Sequence, residues 1–117
     1  MPPRFKPQTY LKEPERFGRD PRAEWRERMR SDGEEFAERR IASRMQHAIA
    51  CQLRAVMVEQ CGTVKEFAAI HELDYQRLAE LLRGSAIMRL EHVALFTNLA
   101  GMEIRLQAAH RPRTEGA

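Results

Sequence analysis

The sequence predicts an all-α fold, on three observations. Residues 34–60 contain neither glycine nor proline, and Phe36, Ile41, Met45, Ile49, Leu53, Val56 and Met57 recur through them at helical spacings. Only 7% of the residues are aromatic while 32% are charged, a balance that suits small helical packing better than a sandwich of aromatic-rich strands. Helix-start residues at Thr63 and Asp74 and helix-stop residues at Gly84 and Gly101 then punctuate the second half of the chain. The 117 residues leave room for one compact domain with an extension, and not for a separate sensing or catalytic domain.

In chain order, prolines at Pro2, Pro3, Pro7, Pro14 and Pro21, interleaved with Arg, Lys and Glu, make residues 1–22 read as an extended arm. Ala23 to Arg30 is expected to be a short charged helix with Trp25 and Met29 on one face, broken by Ser31-Asp32-Gly33. Residues 1–33 thus form a basic, proline-rich arm, and the helical domain is expected to span residues 34–106. One long helix opens it, from Glu34 to Gln60. Glu34 and Glu35 suit the positive end of its dipole, and Gly62 supplies its stop. At ~40 Å such a helix is longer than a small domain is wide, so part of it must overhang or meet a partner.

Thr63-Val64-Lys65-Glu66 has the form of a capping box, in which the Thr63 hydroxyl accepts from the Glu66 amide and the Glu66 carboxylate from the Thr63 amide. It opens a second helix whose buried face begins at Phe67 and Ala68. The turn falls in His71-Glu72-Leu73-Asp74, and Asp74 caps a third helix, Tyr75 to Leu82, buried through Leu78, Leu81 and Leu82. A fourth helix from about Leu90 turns Val93, Phe96 and Leu99 inward and stops at Gly101. Met102 to Leu106 alternates apolar and charged residues, the period of a short half-buried strand. Residues 107–117 read as a flexible tail.

The net charge of +3 is unevenly spread: residues 1–33 hold nine Lys/Arg against six Asp/Glu, and the remainder holds eleven of each. A basic extension permits contact with nucleic acid without establishing it. No apolar run reaches the ~20 residues needed to cross a bilayer, and Met-Pro-Pro-Arg lacks the apolar core of a secretion signal, so a cytoplasmic protein without membrane contact is expected. Cys51 and Cys61 stand ten apart on one helix, ~15 Å along the axis, too far to bridge, and are expected to be reduced.

The run Phe67-Ala68, Leu73, Leu78, Leu81, Gly84, with four, four, two and two residues between, resembles the phage-repressor type of helix-turn-helix, the Cro and Xre family. The resemblance extends over Leu53 to Leu106, about half the chain, and implies a lambda-repressor-like bundle that binds double-stranded DNA. In that family a small residue at the place of Ala68 lets the two helices approach. Two positions depart from it: Glu72 stands where glycine is usual in the turn, and His71 where an aliphatic residue is usual. A non-glycine in a left-handed turn costs about 1 kcal/mol.

The resemblance implies that Tyr75, Gln76, Arg77 and Glu80 face the major groove. Gln76 can pair two edges of adenine, Arg77 can grip O6 and N7 of guanine or a phosphate, and Tyr75 can donate to a phosphate. Glu80 can accept from cytosine N4 or exclude wrong sequences. Thr63 and Lys65, at the start of the second helix, and Arg83 and Arg89 are the expected phosphate contacts. From the arm, Arg4, Lys6 or Arg19 could enter a minor groove.

No catalytic site, metal site or cofactor is expected. His47 and Cys51 share a helix face, but two ligands do not make a tetrahedral site, so a buried thiol and a surface imidazole are expected instead. His71, His92 and His110 have no recognisable nucleophile and acid around them, and no Gly-rich phosphate loop is present. The expected function is a DNA-binding regulator, a repressor controlled by its concentration or by a regulatory protein partner. Phe36, Ile41 and Met45 on the overhang lead to an expectation of homodimerisation, unless the arm or the Trp25 helix folds back over them. The alternative is a protein-interaction adaptor or antitoxin-like module that uses the same helices without reading DNA.

Overall fold

The unbroken apolar periodicity after residue 34 becomes α1, Phe36–Cys61, which ends where the Gly62 backbone turns to φ +87° and its amide bonds back to the Val58 carbonyl. The computed structural model describes residues 5–108. After α1 come α2, Val64–Ile70, α3, Tyr75–Leu82, and α4, Leu90–Ala100, each within a residue or two of its expected bounds. The fold is all-α, and among the described residues the β structure amounts to an isolated antiparallel bridge between Leu11 and Trp25. No helix is long and apolar enough to cross a membrane.

α1 runs through the middle of the domain. Its Ile49, Ala50, Leu53 and Met57 meet Phe67 and Ala68 of α2, Leu78, Leu81 and Leu82 of α3, and Phe96 and Ala100 of α4 in one core. Full burial of such side chains, at about 1.5–3 kcal/mol for a Leu or Phe, is what offsets the entropy of holding three short helices in place.

Residues 5–33 are not an extended arm. Leu11, Phe17 and Ala23 belong to the same core as the four helices, so this segment is a strap across the domain rather than a separate unit. Two of its prolines account for the difference: Pro7 and Pro14 each begin a short 3-10 turn, where a missing N–H costs nothing, and so deliver Tyr10 and Phe17 inward. Charge and proline content suggested disorder, and a few well-placed apolar residues decided against it. Phe17 is fully buried against Gly84, whose φ of +77° and bare Cα leave the space its ring fills.

Ala23 to Arg30 is not a helix either. The Lys12 amide donates to the Glu24 carbonyl at 3.0 Å and the Arg26 amide to the Tyr10 carbonyl at 2.8 Å, so the chain around Trp25 is extended and paired with the strap's first half. Met102 to Leu106 likewise forms no strand, because no extended neighbour lies beside it among the described residues. The Gln52 side chain takes the neighbour's place, donating to the Arg105 carbonyl at 3.0 Å and accepting from its amide at 3.2 Å. Met102 and Ile104 still pack against the core, which explains the alternation in the sequence. The expected flexible tail lies almost wholly outside the described residues, as does Arg4.

The first turn of α1 does not overhang. Phe36 is buried beneath Tyr10, with ring centroids 5.5 Å apart, and the Arg26 guanidinium covers both rings while bonding Asp32 at 3.0 and 3.1 Å. Ile41 and Met45, one turn further on, remain 47% and 49% exposed.

His47 is buried, not on the surface. Its Nδ1 accepts from the Gly18 amide at 2.9 Å, so Nε2 carries the proton and donates to the Asp20 carbonyl at 2.9 Å. Burial holds its pKa below the usual 6.5, and the geometry agrees, since a second proton on Nδ1 would point at an N–H donor. Burial also pushes the neighbouring Cys51 thiol up to about 11, which leaves it unreactive.

A base whose folded pKa is depressed contributes stability that is full above its unfolded pKa and declines as pH falls below about 6.5. Wild-type protein is therefore expected to lose stability from pH 7.5 to 5.5 by more than a His47→Gln variant does, at up to ~1.4 kcal/mol per pH unit within the window. Equal losses in paired thermal melts would remove this role from His47.

Candidate nucleic-acid interface

α2 begins on the Thr63 cap, whose hydroxyl accepts from the Glu66 amide at 3.0 Å. The return half of the capping box is not formed among the described residues, and the Thr63 O–H keeps its donor for another partner. Ala68 is almost fully buried, and its carbonyl takes the Leu73 amide at 2.8 Å, so the chain reverses within the four residues between α2 and α3. Glu72 makes the reversal at φ +56°, the left-handed position expected of it. His71 lies against Phe67 with ring centroids 4.4 Å apart, so the imidazole fills the space an aliphatic side chain would take.

α3 is only eight residues long, too short to stand by itself. Its amino end is held by Asp74, which accepts from the Arg77 amide at 3.3 Å, and its inner face by Leu78, Leu81 and Leu82. The carboxyl end is held by a residue the sequence reading passed over. Gln46, buried on α1, donates to the carbonyls of Leu81 at 3.0 Å and Ala86 at 2.9 Å and accepts from the Met88 amide at 2.9 Å. One side chain thereby satisfies three backbone groups where α3 ends and the next loop begins.

The opposite face of α3 is open. Tyr75, Gln76 and Arg77 are exposed, and Glu80 is half-buried with its carboxylate 3.6 Å from the Arg77 guanidinium. Such a half-solvated pair is worth little and can be exchanged for another partner. Arg83 is exposed just past the helix, where its Nε donates to the Ser85 hydroxyl at 3.2 Å.

Lys65 and Thr63 are exposed on α2 and line a shallow notch together with Tyr75 and Arg54. Arg89 caps α4, its amide donating to His92 Nδ1 at 3.0 Å, with its side chain in solvent. Burial lowers the pKa of His92, and the charges of Arg77 and Arg89 lower it further. Of the eight residues singled out from the sequence, Thr63, Lys65 and Tyr75 share one notch and Arg77 pairs with Glu80, while Gln76 is exposed on α3, Arg83 just past it and Arg89 at the start of α4.

Arg54 was missed. It sits in the middle of α1's periodicity as one more solvated charge, and nothing local marks it. In the fold it is half-buried beside Tyr75, and its Nε donates to the Gly18 carbonyl at 3.2 Å. Among the described residues no group of three or more His, Cys, Asp or Glu could hold a metal ion. Comparison with known proteins finds no matching family model, no matching curated protein and no matching solved structure.

Proposed function

We propose that this protein is a sequence-specific double-stranded DNA-binding transcription regulator, a repressor of phage or mobile-element type that works in the cytoplasm by occupying an operator. α3 is its recognition element, used as the Cro and Xre type of helix-turn-helix uses its second helix. One observation carries this: Leu78, Leu81 and Leu82 seat α3 on the core, while Gln76 and Arg77 are exposed on the far side, Arg77 paired, among the described residues, only with Glu80 of the same helix. Side chains so placed can reach base edges in a major groove, and Thr63, Lys65, Arg83 and Arg89 flank them at positions suited to phosphates.

The protein acts by binding and not by catalysis, and no cofactor takes part. Two copies meet through α1, where Ile41 and Met45 are exposed, so the operator is a pair of symmetric half-sites roughly one helical turn apart. Selection of bound duplexes from a random pool is the test. A two-fold symmetric motif is expected, and Arg77→Ala is expected to relax the preference at one position per half-site by ~1–3 kcal/mol. Recovery of no motif, with binding indifferent to salt, would sink the proposal.

A second reading is favoured by the same exposed Ile41 and Met45. The domain would then be an adaptor or antitoxin-like module that docks another protein on α1 and leaves DNA alone.

A further inference from the structure

The strap takes part in the same interface, and this inference rests on the duplex-binding reading above. Gly18 is the junction. Its carbonyl accepts from Arg54 Nε at 3.2 Å, so the Arg54 guanidinium reaches the strap at the residue before Arg19. Among the described residues neither arginine has a carboxylate oxygen within the 4.0 Å of an ion pair. The nearest acid in sequence, Asp20, is engaged elsewhere, on Arg16 at 3.2 Å and on the Arg22 amide at 2.9 Å.

Two like charges thus stand near one another, Arg54 held by its bond to Gly18 and Arg19 exposed, with no ion-pair partner among the described residues. Burial and then the charge of Arg19 lower the Arg54 pKa, with Tyr75 and Cys51 opposing the shift. Arg54 also lines a notch with Lys65, Thr63 and Tyr75, so a second cation and two hydroxyl donors stand beside it, with Arg19 just outside the lining.

We propose that Arg19 and Arg54, with Lys65 and Tyr75, form a seat for one backbone phosphate of the bound duplex, so that the strap contributes to the interface while packed on the domain. A guanidinium is always charged, weakly hydrated and forked, which suits two arginines to a single phosphate oxygen pair. The oxygens would supply the counter-charge that this corner of the protein lacks. A phosphate contact carries no sequence information, so the seat sets affinity and register and not base preference.

The experiment is a titration of the full chain with two duplexes, one selected and one of scrambled sequence, over a range of salt concentrations. Each neutralised phosphate contributes ~0.9 to the slope of log K against log salt. Arg19→Gln and Arg54→Gln are each expected to weaken both duplexes several-fold by the same factor, and the double variant to reduce that slope by up to ~0.9. Arg54→Lys, which keeps the charge, is expected to retain the slope. Arg77→Ala instead changes the ratio between the two duplexes.

Arg19 is exposed, so Arg19→Gln decides the matter even if Arg54→Gln melts below the assay temperature. Wild-type affinity of Arg19→Gln for both duplexes, with Arg77→Ala still altering the ratio, overturns the seat and leaves duplex binding standing. Failure of the wild type to bind either duplex overturns both.

Discussion

Phe17→Ala is expected to lower the unfolding free energy by about 3–5 kcal/mol, measured by urea denaturation. The ring has no exposed surface and lies on the Cα of Gly84, so its removal opens a cavity between the strap and the end of α3. Small domains are held by only about 5–15 kcal/mol, so this single truncation removes a large share of what keeps the molecule folded. The size of the effect separates two descriptions of the first thirty residues. An arm independent of the helices would lose its phenylalanine with a change under ~0.5 kcal/mol, as exposed positions do. A value that small would mean that the strap is not part of the core.

Gln46→Met is expected to cost about 3 kcal/mol or more. Methionine matches glutamine in length and fills the same space, but it leaves the Leu81 and Ala86 carbonyls and the Met88 amide without their partner, at ~1–3 kcal/mol for each buried group. The consequence should be local as well as global. Amide exchange at Ser85 to Met88 should accelerate more than exchange within α2, because the bonds lost all lie where α3 passes into the next loop. Unchanged protection there, with a melting temperature within a degree of wild type, would show that solvent satisfies those groups and that Gln46 is incidental.

What could be read in advance was what neighbouring residues decide among themselves. Thr63 and Asp74 cap helices three residues downstream, Gly62 and Gly101 end helices with left-handed turns, and Leu78, Leu81 and Leu82 share a face by spacing alone. Even the tolerated oddity at Glu72 was visible, because the turn around it is short. The residues that eluded reading act across long separations. Gln46 serves groups 35 to 42 residues away, His47 a glycine 29 residues back, and Arg54 a carbonyl 36 residues back. On the sequence each is one more polar position on a long helix.

The strap itself failed to register for the opposite reason. Its local chemistry, rich in proline and charge, is that of an unstructured segment, and only the pocket formed by α1 and the end of α3 gives Phe17 somewhere to go. The candidate interface was easier, because an exposed helix face needs no partner within the chain to be recognised.

The docking of Phe17 on Gly84 also constrains how the protein comes into being. A ribosome delivers the strap first, and the surface that receives it is finished only when the carboxyl end of α3 has been made, more than sixty residues later. Until then the strap has no seat, and closing so wide a loop slows its docking. Newly made protein therefore reaches its working shape after translation has passed α3, and a nascent chain halted before Gly84 is left with its phenylalanine unhoused, open to chaperones and proteases.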